Sequence, residues 1–267
     1  MPSVAAAVPR ATNEKAEIAF MSVESEKDLA ALRRVGRVTR LTLERMRASV
    51  RPGITTAELD DIGRSVMEEH GARSAPRLFY RFPGWTCISI NDQVVHGVPG
   101  SRVIREGDLV TLDATPELDG YVADAAITVA VPPVSPLARA LCECAEAAFY
   151  KAAALARPGA PLSLLGGAVE REVKRRGFRV LRELSGHGTG RRIHEPPSVL
   201  NYHDARVRTR LTDGLVIALE PLIAATTSRT RALPDGWTVS SEDGSLTAHF
   251  EHTLVVRRGE PLLLTAA

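Results

Sequence analysis

The chain has 267 residues, 44% hydrophobic and 25% charged, with a formal net charge of +2. This is an ordinary globular composition, and the near-neutral balance excludes a strong pull toward nucleic acid or an anionic membrane. Cys87, Cys142 and Cys144 form no C-x-x-C pair and suit a reducing cytoplasm, no apolar run approaches the roughly 18 residues of a membrane span, and Pro9 and Arg10 interrupt Ala5–Val8 before it can read as a secretion signal.

Residues 1–23, alanine-rich and broken by Pro2 and Pro9, read as a loose tail, with Met21 an alternative start. Residues 24–267 read as one domain. From Glu24 to about Ser49 the apolar positions Leu29, Leu32, Val35, Val38 and Met46 recur at helical spacing, and Arg51-Pro52-Gly53 ends the pattern. Thr55 and Glu58 form a capping box for a second helix reaching Gly71. Residues 72–86 read as a loop rich in aromatics and prolines, followed by short strands at Cys87–Ile90 and Val94–His96. A long hairpin over Leu109–Val131 turns near Asp119-Gly120. Helices follow from Ser135-Pro136 to Arg157-Pro158-Gly159 and over about 162–176, and from Val180 the chain returns to strands as far as Val256. Two halves, each with helices and an antiparallel hairpin, predict an α+β domain.

The halves repeat a chemical pattern. Gly107 to Asp113 reads G-D-L-V-T-L-D and Gly214 to Glu220 reads G-L-V-I-A-L-E, so each apolar strand ends in a carboxylate six residues after a glycine. Each is followed by a strand with another acid, Asp124 in the first half and Glu251 in the second. Scattered acids on sheet edges would simply face solvent. Four acids on apolar strands are costly to bury and repel one another, and a pair of divalent cations relieves both penalties. Strands lie about 5 Å apart, which allows facing carboxylates to bridge ions about 3.5–4 Å from each other.

Ser185-Gly186-His187-Gly188-Thr189-Gly190 sets an imidazole between glycines, and His194 follows in Ile193-His194-Glu195-Pro196-Pro197. The glycine spacing is not that of a dinucleotide fingerprint. One imidazole with four carboxylates suits Mn²⁺, Fe²⁺ or Co²⁺ better than a structural zinc.

Taken in order, Asp113, Asp124, the glycine-caged His187, Glu220-Pro221, Asp235-Gly236-Trp237-Thr238 and Glu251, with His96 in Ser89–Pro99, resemble the methionine aminopeptidases of the pita-bread fold. The resemblance runs from about Glu24 to the C-terminus. The short interval from Glu220 to Glu251 resembles the type I enzymes. It implies two pseudo-symmetric halves with helices packed on an antiparallel sheet, and a two-metal hydrolase that removes N-terminal methionine ahead of a small second residue. It implies that Asp113 serves one metal, His187 and Glu220 the other, and that Asp124 and Glu251 bridge both. Glu220 then accepts a proton, His194 stabilises the carbonyl oxygen, and His96 lies by the scissile amide. Tyr80, Phe82, Cys87 and Trp237 correspond to the walls of the methionine pocket. The implied partners are nascent polypeptide N-termini, including those at the ribosome, approached by a cytoplasmic monomer.

Three departures stand out against the family. Leu78–Pro83 is one residue short and lacks a glycine, Arg192-Ile193 stands for the usual Gly-Phe, and Ala123-Asp124-Ala125 stands for Gly-Asp-Thr/Ser. None removes a metal ligand. The competing readings are another metallo-aminopeptidase of the same fold, whose proline-specific members carry an extra N-terminal domain, and a non-catalytic partner-binding relative, which would be expected to have lost ligands.

Overall fold

The computed structural model describes residues 21–266. The expected tail thus lies outside the described residues over 1–20, while Met21–Val23 pair with the chain near Gly214. The Val23 amide donates to Gly214 O at 2.8 Å, Val216 donates to Met21 O at 3.1 Å, and Ser22 bridges Leu215.

Helix α1 (Glu26–Ser49) begins where the Ser25 side chain accepts from the Asp28 amide, and it buries Leu32, Val35, Val38, Leu43 and Met46 along one face. Helix α2 (Thr56–Glu69) opens with the capping box, in which Thr55 and Glu58 satisfy each other's backbone amides. Both pack over Ile88, Val110, Leu112 and Ala114. The segment read as a loop holds instead a short strand, Arg73–Ser74, and a six-residue helix, α3 (Ala75–Tyr80). Ser74 caps it by accepting from Arg77, and Pro76 is tolerated because the first turn needs no amide there.

The second half repeats the scheme. Helix α4 (Pro136–Ala153), capped by Ser135, and helix α5 (Leu162–Arg175) bury Phe149 and Leu165 against Val199, Ile217, Leu219 and Leu254.

A large antiparallel sheet joins the halves, with strands in the order Glu195–Leu200, Ser185–Gly188, Val216–Leu219, Glu251–Val255, Ala125–Ala130, Leu109–Ala114 and Cys87–Ile90; Leu262–Leu263 adds to the Glu251–Val255 strand. Three small three-stranded sheets flank it among the described residues. The first hairpin turns at Asp119 (φ 54°) and Gly120 (φ 79°), the doubled positive φ that a tight hairpin turn requires.

Because side chains alternate across a strand, Leu112 and Leu219 face the helices, which turns Asp113 and Glu220 to the opposite face. Register then aligns the site. Cys87 lies opposite Asp113, Asp113 opposite Ala126, and Ala126 opposite Glu251, in one row across four strands. Only a methyl group stands between Asp113 and Glu251 in that row.

Candidate metal centre

All eleven residues singled out in the sequence, Tyr80, Phe82, Cys87, His96, Asp113, Asp124, His187, His194, Glu220, Trp237 and Glu251, line one cleft on the open face of the sheet. Pro76, Val95, Thr115, Ile193 and His249 complete it.

Asp113 projects from the Leu109–Ala114 strand and Glu251 opens its own strand, so both are held by ladder hydrogen bonds. Glu220 follows the Val216–Leu219 strand directly, and its carbonyl accepts from Asn201 Nδ2 at 2.8 Å. Asp124 differs from the expected continuous strand. It sits in a break just before Ala125–Ala130, where its amide donates to Thr253 Oγ1 at 2.8 Å and its carbonyl accepts from Thr253 N at 3.0 Å. Thr115 donates to Asp124 Oδ1 at 2.7 Å, supplying an oriented hydroxyl beside the alanines that flank this aspartate.

The G-H-G sequence has a steric cause. A Cβ on Gly186 would lie 2.4 Å from Ala218 O, and one on Gly188 would lie 2.0 Å from Pro196 O. Glycines let the neighbouring strands close around His187, which pairs in register with Ala218.

Asp124, Glu220 and Glu251 are buried and Asp113 is half-buried. Burial, and then repulsion from Asp124, raise the Asp113 carboxyl well above the usual carboxylate range. Burial likewise raises Glu220 and Glu251, with Asp124 the strongest charged neighbour of each. Asp124 rises only to about 6 because Thr115 and Asp113 hydrogen-bond to it. Without a cation the four cannot all be ionised.

His187 is equally telling. Burial lowers it to about 3, so the ring is neutral. Nδ1 lies 2.9 Å from Gly188 O, an acceptor only, and must carry the proton. Nε2 therefore turns a lone pair toward Glu220 Oε1 at 3.4 Å and Asp124 Oδ2 at 4.0 Å. A lone pair aimed at ionised carboxylates is repulsive unless a cation lies among them. The donor set of neutral imidazole and oxygen fits a borderline divalent ion. Among the described residues two groups bring their donor atoms within 4.8 Å of one another, Asp124–His187–Glu251 and Glu220–His249–Glu251.

His249 was not read from the sequence. It precedes Glu251 by two residues in Ala248-His249-Phe250-Glu251, and the period-two alternation of a strand was the available signal.

His96 and His194 stand around the acids. His96 holds a left-handed backbone (φ 57°), unusual for a residue with a side chain, and Thr238 Oγ1 donates to its carbonyl at 3.3 Å. Burial lowers it to about 4. His194, at the rim, is also lowered to about 4 by loss of solvent and by His96. Its ring packs on that of His187 with centroids 4.3 Å apart. Phe82 meets Trp237 edge to face at 5.2 Å, and Cys87, its thiol kept protonated by burial, adds an apolar wall. Ile193 is buried against Ala75, Val122 and Tyr80.

Residues 30–258 match the model of metallopeptidase family M24. The chain is 40% identical over 247 residues to methionine aminopeptidase 2 of Bacillus subtilis (strain 168), covering 92% of this chain and 99% of that protein. Among solved structures it is similar to the methionine aminopeptidase of Rickettsia prowazekii, with TM-score 0.89, 34% identity, and coverage of 93% of this chain and 100% of that one. The methionine aminopeptidase of Thermotoga maritima superposes with TM-score 0.89 at 28% identity, covering 92% and 100%. The chain belongs to metallopeptidase family M24, and its architecture is the α+β pita-bread fold.

Proposed function

We propose that this chain is a methionyl aminopeptidase, which removes the N-terminal methionine from nascent proteins and peptides and prefers a small second residue. The observation that carries the reading is the buried carboxylate cluster with the His187 lone pair turned into it, in a cleft walled on one side by apolar residues. The likeness to methionine aminopeptidases over most of the chain supports the substrate.

Asp113 would hold one of two divalent ions, His187 and Glu220 the other, and Asp124 and Glu251 both. Mn²⁺, Fe²⁺ and Co²⁺ suit the donors. Such ions supply a water acidified to near neutrality and polarise the scissile carbonyl. Glu220 accepts the proton of the attacking water. His194 donates to the carbonyl oxygen as its charge develops, and His96 lies by the amide nitrogen. The free α-amine would lie at the metal centre near Asp113, which restricts cleavage to the first residue. Tyr80, Phe82, Cys87 and Trp237 enclose the methionine side chain.

No helix among the described residues is long and apolar enough to cross a membrane. A cytoplasmic monomer acting on polypeptides at or released from the ribosome completes the proposal. The test is hydrolysis of a Met-Ala-Ser peptide by metal-free protein before and after addition of Mn²⁺, Fe²⁺ or Co²⁺. Release of methionine only after addition is the expected result. Full turnover in rigorously metal-free protein would refute the reading.

A further inference from the structure

His249 is 2% exposed, yet neither of its ring nitrogens has a hydrogen-bond partner among the described residues. A buried polar group without a partner is normally costly, and this ring leaves two such atoms. Its Nε2 lies 3.4 Å from Glu251 Oε2 and 3.6 Å from Glu220 Oε2. Those separations are long for a charge-assisted hydrogen bond, about 2.7–2.9 Å. They match the spacing of donors on one ion, since bonds of about 2.0–2.2 Å at tetrahedral to octahedral angles place donors roughly 2.8–3.6 Å apart. His187 Nε2 shows the same spacing, 3.4 Å from the other oxygen of Glu220. Glu220 is thus flanked by an imidazole at each oxygen. Glu251 Oε1, also buried, has no hydrogen-bond partner among the described residues either.

We infer that His249 Nε2 is itself a metal ligand, joining Glu220 and Glu251 on a common ion, so that this chain offers two imidazoles to its metal centre. The inference rests on the metal-centre reading above and adds a residue to it. A neutral imidazole carries one lone pair, as ligation requires, and the donor atoms of Glu220, His249 and Glu251 all lie within 4.8 Å of one another. A second imidazole shifts the donor set toward softer borderline ions, so the centre favours Co²⁺ or Zn²⁺ over Mn²⁺ more than five ligands alone would.

The test uses full-length protein loaded with Co²⁺ after histidine-ring isotope labelling. Wild type should show contact-shifted NMR signals from two histidine rings, with one set missing in His249→Gln. By calorimetry, the same variant should bind Co²⁺ about tenfold or more weakly, with a smaller loss for Mn²⁺. A single contact-shifted ring in wild type overturns the inference without any variant, and leaves the metal centre standing. Retention in His249→Gln of both the wild-type Co²⁺ spectrum and affinity also overturns it. Failure of wild type to bind Co²⁺ at all overturns both the inference and the metal-centre reading.

Discussion

The Tyr80 hydroxyl lies 2.7 Å from His194 Nδ1, joining helix α3 to the loop before the Glu195–Leu200 strand across the mouth of the cleft. Burial raises the Tyr80 phenol above its ordinary value, so the hydroxyl keeps its proton, and the direction of the bond is set by the imidazole tautomer. With Tyr80 as the donor the ring proton sits on Nε2, the tautomer that the proposed donation to substrate requires. Tyr80 is then a positioning residue as well as a pocket wall. Tyr80→Phe removes one hydrogen bond worth about 1 kcal/mol, so kcat should fall roughly fivefold to tenfold with little change in KM. Steady-state kinetics on Met-Ala-Ser checks it; an unchanged kcat means Tyr80 does not orient His194.

Metal loading should stabilise the fold as well as activate it. A cation that binds only the folded chain adds about 2.7 kcal/mol at one hundred times its Kd. Titrating Mn²⁺ or Co²⁺ into chelator-treated protein should raise Tm progressively. A Tm independent of cation would mean that the carboxylate cluster does not bind ions in the folded state.

Glu251→Gln should separate stability from function. In metal-free protein the substitution removes one of four mutually repelling acids and should raise Tm by about 2–4 °C, corresponding to roughly 1 kcal/mol at this size. The same variant should lose most of the stabilisation by cation and nearly all turnover. Parallel melts with chelator and with Mn²⁺ decide it, and a cation response equal to wild type would remove Glu251 from the ligand set.

Ile193 lies in the position where its size can tune side-chain selection, since it lines the cleft and packs on Tyr80. Replacing it with phenylalanine adds aromatic contact worth about 0.5–1.5 kcal/mol. The ratio of kcat/KM for Met-Ala-Ser over norleucine-Ala-Ser should therefore change by roughly twofold to tenfold, mainly through KM. An identical ratio in wild type and Ile193→Phe places the residue outside the methionine pocket.

Far from the cleft, Glu172 is buried 2% exposed on helix α5 and accepts from Arg175, Lys151 and Arg176. The Arg175 hydrogen bond, followed by Lys151 and Arg176, holds its carboxyl far below the usual range. A depressed folded pKa stabilises the protein above the unfolded value of about 4.3 and loses that contribution as pH falls below it. The partners are largely solvent-exposed, which limits the effect. Glu172→Gln should cost about 1–2 kcal/mol at pH 7, with the gap to wild type closing as pH drops under about 4. Denaturant melts across that range test the sign.

Much of the architecture was written locally. The Thr55–Glu58 capping box, the α1 stripe from Leu32 to Met46 and the Asp119-Gly120 turn depend on neighbours a few residues away, so their chemistry is visible in one dimension. Helix α3 was not, because its aromatics and prolines resemble a loop until Ser74 is seen to cap it. The candidate site was legible as residue types in order, since a repeated acid at the end of an apolar strand is improbable without a charge to oppose it.

The sequence by itself determined which side chains would be acids and imidazoles, and that alternation would turn each strand's acid away from its leucine neighbour. Only the tertiary structure decided which acids meet. Glu251 reaches Asp113 through Ala126 because two halves distant in sequence pair at one register, and a slip of one residue would turn either acid to the helix face. Within the second half, Val216–Leu219 pairs with Glu251–Val255 and Leu222 pairs with His249, which brings His249 beside Glu220 and Glu251. The two-residue spacing puts His249 on the face of Glu251, but only the folded chain brings Glu220 within reach of the same ring.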